Sequence, residues 1–243
     1  MADYRTHVTT SGLIGVGYGI ATTYMAGFTP VQGALAGCLT GIAGMFPDID
    51  SESGRPVREI SSLTAAIAPL LLLDRLVEVA GDMEGAMLLA VLLYISIRYG
   101  LATVLGLCSV HRGMFHSIPA LLIAAEATYL AYGSPSILVR LLMAGGVGLG
   151  FLSHLLLDEI YSVDWRGGTL KLKSSAGSAV KFFSRSWAAV VFCYGLLFTL
   201  TYAVWVDGGL SRLGLSAEQM ARKPPVVKKL PWRQAHNDDV FSR

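Results

Sequence analysis

The chain has 243 residues, of which 53% are hydrophobic and only 15% are charged. Soluble domains carry about 25% charged residues, so this composition excludes an ordinary soluble domain and predicts a membrane protein whose one certain partner is the lipid bilayer. The formal net charge of +2 gives no electrostatic basis for binding nucleic acid. The cysteines Cys38, Cys108 and Cys193 stand singly in apolar sequence and indicate neither a disulfide framework nor a cysteine metal site.

Apolar runs predict an all-α fold, a polytopic membrane helix bundle of about six or seven transmembrane helices. The predicted spans are Ser11–Phe28, Val31–Phe46, Leu63–Ala80, Ala86–Cys108, Ile118–Tyr132, Ile137–Leu157 and Trp187–Val206. The second and fifth are short for a full crossing, which leaves re-entrant segments open. We expect a bundle over residues 1–206 and a flexible, solvated tail over residues 207–243, which is charged and contains Pro224 and Pro225.

If each predicted helix crosses once, the polar side chains of four separate segments meet at one membrane face. These segments are the start of the first helix, the end of the second, the loop after the fourth and the end of the sixth. The candidate metal ligands in them are His7, Asp48, Asp50, His111, His116, His154 and Asp158. Imidazole and carboxylate together suit a divalent metal, with zinc favoured over manganese or iron, and seven ligands leave one or two ions open.

Local spacing supports shared ligation at two places. His154 and Asp158 are four residues apart, which puts both on one face of a helix, and Asp48 and Asp50 flank a single residue in a turn that starts at a proline. Each pair also has a plainer explanation, since a His–Asp hydrogen bond can close a helix end and a loop aspartate can cap the next helix. Some of the seven residues can therefore orient a ligand rather than bind an ion.

Glycines at four-residue spacing predict close helix packing beside these ligands. They are Gly15 and Gly19 on the first helix, Gly33, Gly37 and Gly41 on the second, and Gly146 and Gly150 on the sixth. Arg98 and Glu126 fall at similar depths on the fourth and fifth predicted helices, so we expect a buried ion pair between them.

Four motifs resemble those of a known family. They are THV at residues 6–8, PDID at 47–50, HRGMFHS at 111–117 and SHLLLD at 153–158. In order and spacing they are similar to the motifs of the LexA-binding, inner-membrane-associated metal-dependent hydrolases of bacteria. The resemblance implies a multi-pass inner-membrane protein with hydrolase activity carried by the seven candidate ligands. The chain departs from the family at Phe115, where threonine is frequent, and at Ser51, where histidine is frequent.

The chemistry of such a site predicts specific roles. A divalent ion acidifies water so that it can attack a substrate near neutral pH. We expect Asp50 or Asp48 to act as general base where it is not a ligand, and Arg112 to bind a phosphate or carboxylate oxygen. A site at the membrane edge favours a lipid-like or phosphoester substrate.

Basic residues near the helix ends, including Arg55, Arg58 and Lys181, are more frequent on the predicted metal face than opposite it, which favours a cytoplasmic site. Two other functions remain open. A metal-ion or proton transporter would use the same residues as a transient ion site, and a non-catalytic structural or regulatory protein would recruit a soluble protein partner. Bound metal and turnover would distinguish the enzyme from both.

Overall fold

The computed structural model describes residues 3–50, 54–100, 114–164, 171–172, 181–183 and 186–207. The α-helices of these residues are α1 (Tyr4–Tyr24), α2 (Pro30–Ala43), α3 (Gly54–Leu71), α4 (Leu73–Ala80), α5 (Met83–Ile95), α6 (Ile118–Ala131), α7 (Ile137–Tyr161) and α8 (Trp187–Val206). A 3₁₀ helix covers Phe46–Asp50, and a π-helical turn, Ser96–Gly100, continues α5. The short strands β1 (Val163–Asp164) and β2 (Lys171–Leu172) pair antiparallel.

The predicted helical architecture is confirmed, apart from the short strands β1 and β2. Three helical stretches are long and apolar enough to cross a membrane, namely Met83–Gly100, Ile137–Tyr161 and Trp187–Val206. Shorter apolar helices occupy Ser61–Leu71 and Ile118–Ala131. The number of spans, six or seven, stays a prediction. The tail at 207–243 lies outside the described residues except for Asp207, and the end of the fourth predicted helix at Cys108 lies wholly outside them, so both also stay predictions.

Several predicted helix boundaries differ from the structure, and two of the differences change the arrangement of the helices. The first helix begins at Tyr4 rather than Ser11, so that His7 is already helical. The predicted helix Leu63–Ala80 is two helices, α3 and α4, which meet at Leu72 with φ −89° and ψ 0°. Pro69 lies inside α3 and has no N–H for the helix ladder, which weakens the helix just before this break.

Glycines let α1, α2 and α7 pack at backbone distance. A side chain added at Gly15 would collide with the Gly37 carbonyl oxygen, and one at Gly37 would collide with that of Gly15. On α7, a side chain at Gly150 would collide with the carbonyl oxygen of Thr40 on α2. The predicted glycine packing is therefore confirmed, and it brings together the helices that carry the candidate ligands.

The predicted ion pair between Arg98 and Glu126 is wrong. The helix α5 packs against α3, whereas α6 packs against α7 and α8, so the two charges have different neighbours. Glu126 Oε1 accepts a hydrogen bond of 2.8 Å from Thr201 Oγ1 on α8. The Arg98 guanidinium instead lies 5.3 Å from the centroid of the adjacent Tyr99 ring.

A buried arginine closes the end of the bundle where α7 begins. Arg140, only 7% exposed, donates from Nε to the Tyr129 carbonyl oxygen at 2.9 Å and from Nη1 to Asp207 Oδ2 at 2.5 Å. Its guanidinium also lies 4.1 Å above the Tyr129 ring. The Tyr129 carbonyl belongs to the last turn of α6, where carbonyls lack partners within the helix, and Asp207 directly follows α8. One side chain thus joins the ends of three helices.

Candidate metal site

Five of the seven predicted ligands come together at the other end of α7. We call them the histidine–aspartate cluster, and its members are His7, Asp48, His116, His154 and Asp158. His7 comes from α1, Asp48 from the 3₁₀ helix after α2, and His116 from the segment just before α6, while His154 and Asp158 stand one turn apart on α7. Four elements distant in sequence therefore bring these side chains together, as the count of helix crossings predicted.

Two predicted residues lie outside the described part of the chain, and a third lies there in part. His111 and Arg112 fall in the gap between residues 100 and 114. Asp50 ends the 3₁₀ helix, two residues after Asp48, but its side chain is not described. The roles assigned to these three residues stay predictions.

Local packing fixes the segments that carry the cluster. A side chain at Gly44, which ends α2, would collide with the Ser11 side chain of α1, so glycine is needed where the two helices converge. Ser11 Oγ also donates to the Gly41 carbonyl oxygen at 2.9 Å. The chain then turns through the buried Pro47 into the 3₁₀ helix. This sets Asp48 directly opposite the last turns of α7.

His116 is held by the start of the helix that follows it. Ser117 is the N-cap of α6, and its Oγ accepts a hydrogen bond from the backbone N–H of Ala120 at 3.3 Å. Pro119 occupies the first turn, where a missing N–H costs nothing. The backbone N–H of Ile118 donates to the Lys181 carbonyl oxygen at 3.2 Å. These contacts fix the start of α6 and so position the His116 imidazole beside α7.

Two nitrogens and two oxygens form a closed ring at the centre of the cluster. His154 Nε2 lies 3.6 Å from both Asp48 Oδ1 and Asp158 Oδ2. His116 Nε2 lies 3.7 Å and 3.8 Å from the same two oxygens. These four separations are longer than normal hydrogen bonds. They are close to the spacing of about 3.3 to 3.6 Å expected between ligand atoms that surround a tetrahedral ion with bonds of about 2.0 to 2.2 Å.

The His154 ring presents a lone pair to this ring of atoms. Its Nδ1 lies 2.7 Å from the Gly44 carbonyl oxygen, which can only accept, so Nδ1 carries a proton, and in the neutral ring Nε2 is then unprotonated. Among the described residues, Nε2 is buried and has no hydrogen-bond partner. A lone pair buried against two carboxylate oxygens is unfavourable unless a cation lies between them.

His7 contacts the cluster from the side. Its Nε2 lies 3.2 Å from Asp158 Oδ1, the carboxylate oxygen that is not part of the central ring of atoms. Its imidazole stacks on that of His154, with centroids 3.7 Å apart and planes inclined by 13°. His116 meets His154 edge to face at 5.4 Å. His154 is therefore stacked against His7 and meets His116 edge to face.

Asp48 supplies negative charge to the cluster near neutral pH. Burial raises the pKa of its carboxyl, whereas the contact with His116 and the charge of the neighbouring histidines, when they are protonated, lower it. The net pKa is below the ordinary value for aspartate. Its carboxylate is therefore ionised and available to bind a cation.

Two overlapping sets of residues can hold a metal ion. The first is His7, His154 and Asp158, and the second is Asp48, His116 and His154.

Gly44 is a residue of the candidate site that sequence reasoning missed. Its carbonyl oxygen fixes the tautomer of His154, but a backbone acceptor leaves no trace in residue type. The available signal was its position three residues after Gly41, at the end of the glycine pattern on α2.

Fold and site together define a helical membrane protein with a buried histidine–aspartate cluster at one end of its bundle. The chain belongs to the family of YdjM inner membrane proteins, which matches residues 2–207. The match covers all five residues of the cluster. Comparisons with curated proteins and with solved structures give no match. The match confirms the predicted membership of an inner-membrane protein family, while LexA binding, hydrolase activity, the multi-pass count and the cytoplasmic site stay predictions.

Proposed function

We propose that this protein is a membrane-embedded metal-dependent hydrolase whose divalent ion, zinc in the first instance, is held by Asp48, His116, His154 and Asp158. The observation that carries the proposal concerns His154 Nε2, which is unprotonated when the ring is neutral. It is buried between two carboxylate oxygens at 3.6 Å with no donor to share its lone pair among the described residues. A cation is the group that satisfies all three atoms at once.

Each member of the site has a distinct task. When bound, the ion would supply Lewis acidity, which acidifies water and polarises the bond to be cleaved. Asp48 is the most exposed of the four proposed ligands, with a side chain 21% exposed, so water and substrate enter from its side. Asp50, two residues further on, is proposed to accept the proton of the attacking water. Arg112 is proposed to bind a substrate oxygen, and His111 is kept as an additional ligand.

The position of the cluster supports a lipid-like or phosphoester substrate. Asp158 lies in the last turn of α7, a helix long and apolar enough to cross a membrane, so the site lies near the membrane edge. Apolar side chains of the same turns, Leu156 and Ile160, face outward. An amphipathic substrate can keep its apolar part in the bilayer while its polar part reaches the cluster. We propose further that the protein is multi-pass and that this end of the bundle is cytoplasmic.

Metal analysis tests the proposal. Wild-type protein, purified in detergent without chelators, is expected to contain stoichiometric divalent metal, and the variants His154→Ala and Asp158→Asn are expected to lose it. His236→Ala removes a histidine remote from the motifs and serves as the matched control, which should keep the metal. Wild-type protein without bound metal would overturn the proposal.

Activity is tested on the same proteins. A panel of phosphoesters, both water-soluble and embedded in lipid vesicles, is expected to reveal turnover that disappears in Asp158→Asn and persists in His236→Ala. Bound metal without turnover, together with metal flux in liposomes, would support a transporter instead.

A further inference from the structure

We infer that His7 is a positioning residue, which holds Asp158 and the His154 ring so that the cluster binds a single ion. This inference rests on the proposed metal site. The alternative is that His7 is itself a ligand, either of the same ion or of a second one.

A shared nitrogen argues against separate ions in the two possible sets of ligands. His154 belongs to both sets, yet its Nδ1 is engaged with the Gly44 carbonyl oxygen and only Nε2 has a free lone pair. One lone pair serves one metal ion. Filling the set His7, His154 and Asp158 therefore removes His154 from the set Asp48, His116 and His154.

Ring stacking argues against His7 as a second ligand of the same ion. An imidazole nitrogen binds a metal along its lone pair, which lies in the plane of its ring, so an ion on His154 Nε2 lies in the His154 plane. The His7 ring is nearly parallel to that plane and displaced from it, with the centroids 3.7 Å apart and a tilt of 13°. The lone pairs of His7 therefore run alongside the ion rather than toward it.

The remaining contact of His7 explains what it does. Its Nε2 lies 3.2 Å from Asp158 Oδ1, within hydrogen-bond reach and shorter than any separation in the central ring of atoms. A proton on Nε2 donated to Oδ1 turns the other oxygen, Oδ2, toward His116 and His154. A histidine that donates to a ligand carboxylate orients that ligand, and removing such a partner typically weakens metal binding by about 10-fold to 100-fold.

The experiment compares two substitutions of His7 in the full-length protein, loaded with Co²⁺ as a spectroscopic probe. His7→Gln keeps an amide N–H near the position of Nε2, and His7→Ala removes the donor. Both are expected to bind one Co²⁺ with the visible absorption bands of the wild type. Affinity should fall about 10-fold to 100-fold in His7→Ala and only a few-fold in His7→Gln. His116→Ala, which removes a proposed ligand, should lose or change the bands.

Other results would overturn the inference. Two ions in the wild type that fall to one in both His7 variants would make His7 a ligand of a second ion. Changed absorption bands in His7→Gln would make it a ligand of the same ion. Equal Co²⁺ affinity in His7→Ala and in the wild type would show that His7 does not position the ligands. A wild type that binds no Co²⁺ is a separate outcome, because it removes the proposed function itself.

Discussion

Replacing Arg140 tests whether the end of the bundle opposite the cluster is held by one buried cation. Arg140→Met keeps most of the side-chain volume but removes the guanidinium that joins α6, α7 and α8. Breaking a buried ion pair costs about 3 to 5 kcal/mol when the partner stays charged and buried. Asp207 is 22% exposed, so water relieves part of this cost, while the lost hydrogen bond to the Tyr129 carbonyl adds about 1 kcal/mol. We expect a destabilisation of about 3 kcal/mol.

Arg75 provides the matched control for this prediction. Its guanidinium lies 4.0 Å from the other oxygen of Asp207, but its side chain is 43% exposed, so Arg75→Gln should cost less than about 1 kcal/mol. Unfolding of the detergent-solubilised protein, followed by circular dichroism during heating or titration with a denaturing detergent, measures both variants. Since 18 helical residues separate Arg140 from Asp158, about 27 Å, Arg140→Met should still bind metal. Equal costs for the two variants, or none for Arg140→Met, would refute the reasoning.

Two further predictions concern packing and pH. Gly150→Ala should destabilise the protein by about 1 to 3 kcal/mol because its methyl group meets the Thr40 carbonyl oxygen. Gly148→Ala on the same helix meets nothing closer than 3.9 Å and should be near neutral, so equal unfolding midpoints for the two would contradict the packing argument. Metal affinity should fall as the pH is lowered, because protons compete with the ion for the imidazole nitrogens, while the lowered pKa of Asp48 keeps its carboxylate ionised further into acid. Co²⁺ titrations between pH 5.5 and 8 check this, and a pH-independent affinity would argue against histidine ligands.

Much of the fold and the convergence of five candidate ligands could be predicted because both follow from patterns within single helices. Apolar runs of sufficient length marked the long helices, and Trp187–Val206 matches its predicted bounds. The four-residue glycine spacing identified the surfaces that pack. Counting helix crossings brought His7, Asp48, His116 and His154 to one end, because antiparallel neighbours place alternate loops together.

The rest could not be predicted because it depends on which helices become neighbours. Arg98 and Glu126 were predicted to pair because they lie at similar depths in the membrane. In the structure α5 packs against α3, whereas α6 packs against α7 and α8, so similar depth alone predicted the wrong partner. Arg140 pairs with Asp207, 67 residues away, and no periodic pattern links the two. The distinction between ligand and positioning residue depends on ring planes, which leave no mark in the sequence.

Close helix packing and the proposed metal site are linked at Gly44. The same glycine lets α2 approach Ser11 of α1 and offers its carbonyl oxygen to His154 Nδ1. A larger residue there would separate the helices and also release the hydrogen bond that keeps Nε2 unprotonated and aimed at the two carboxylates. The glycines of the bundle therefore do more than pack helices. The close approach of α1 and α2 also fixes the Gly44 carbonyl oxygen against His154 Nδ1, so that Nε2 faces Asp48 and Asp158, whose negative charge a divalent cation at this position would balance.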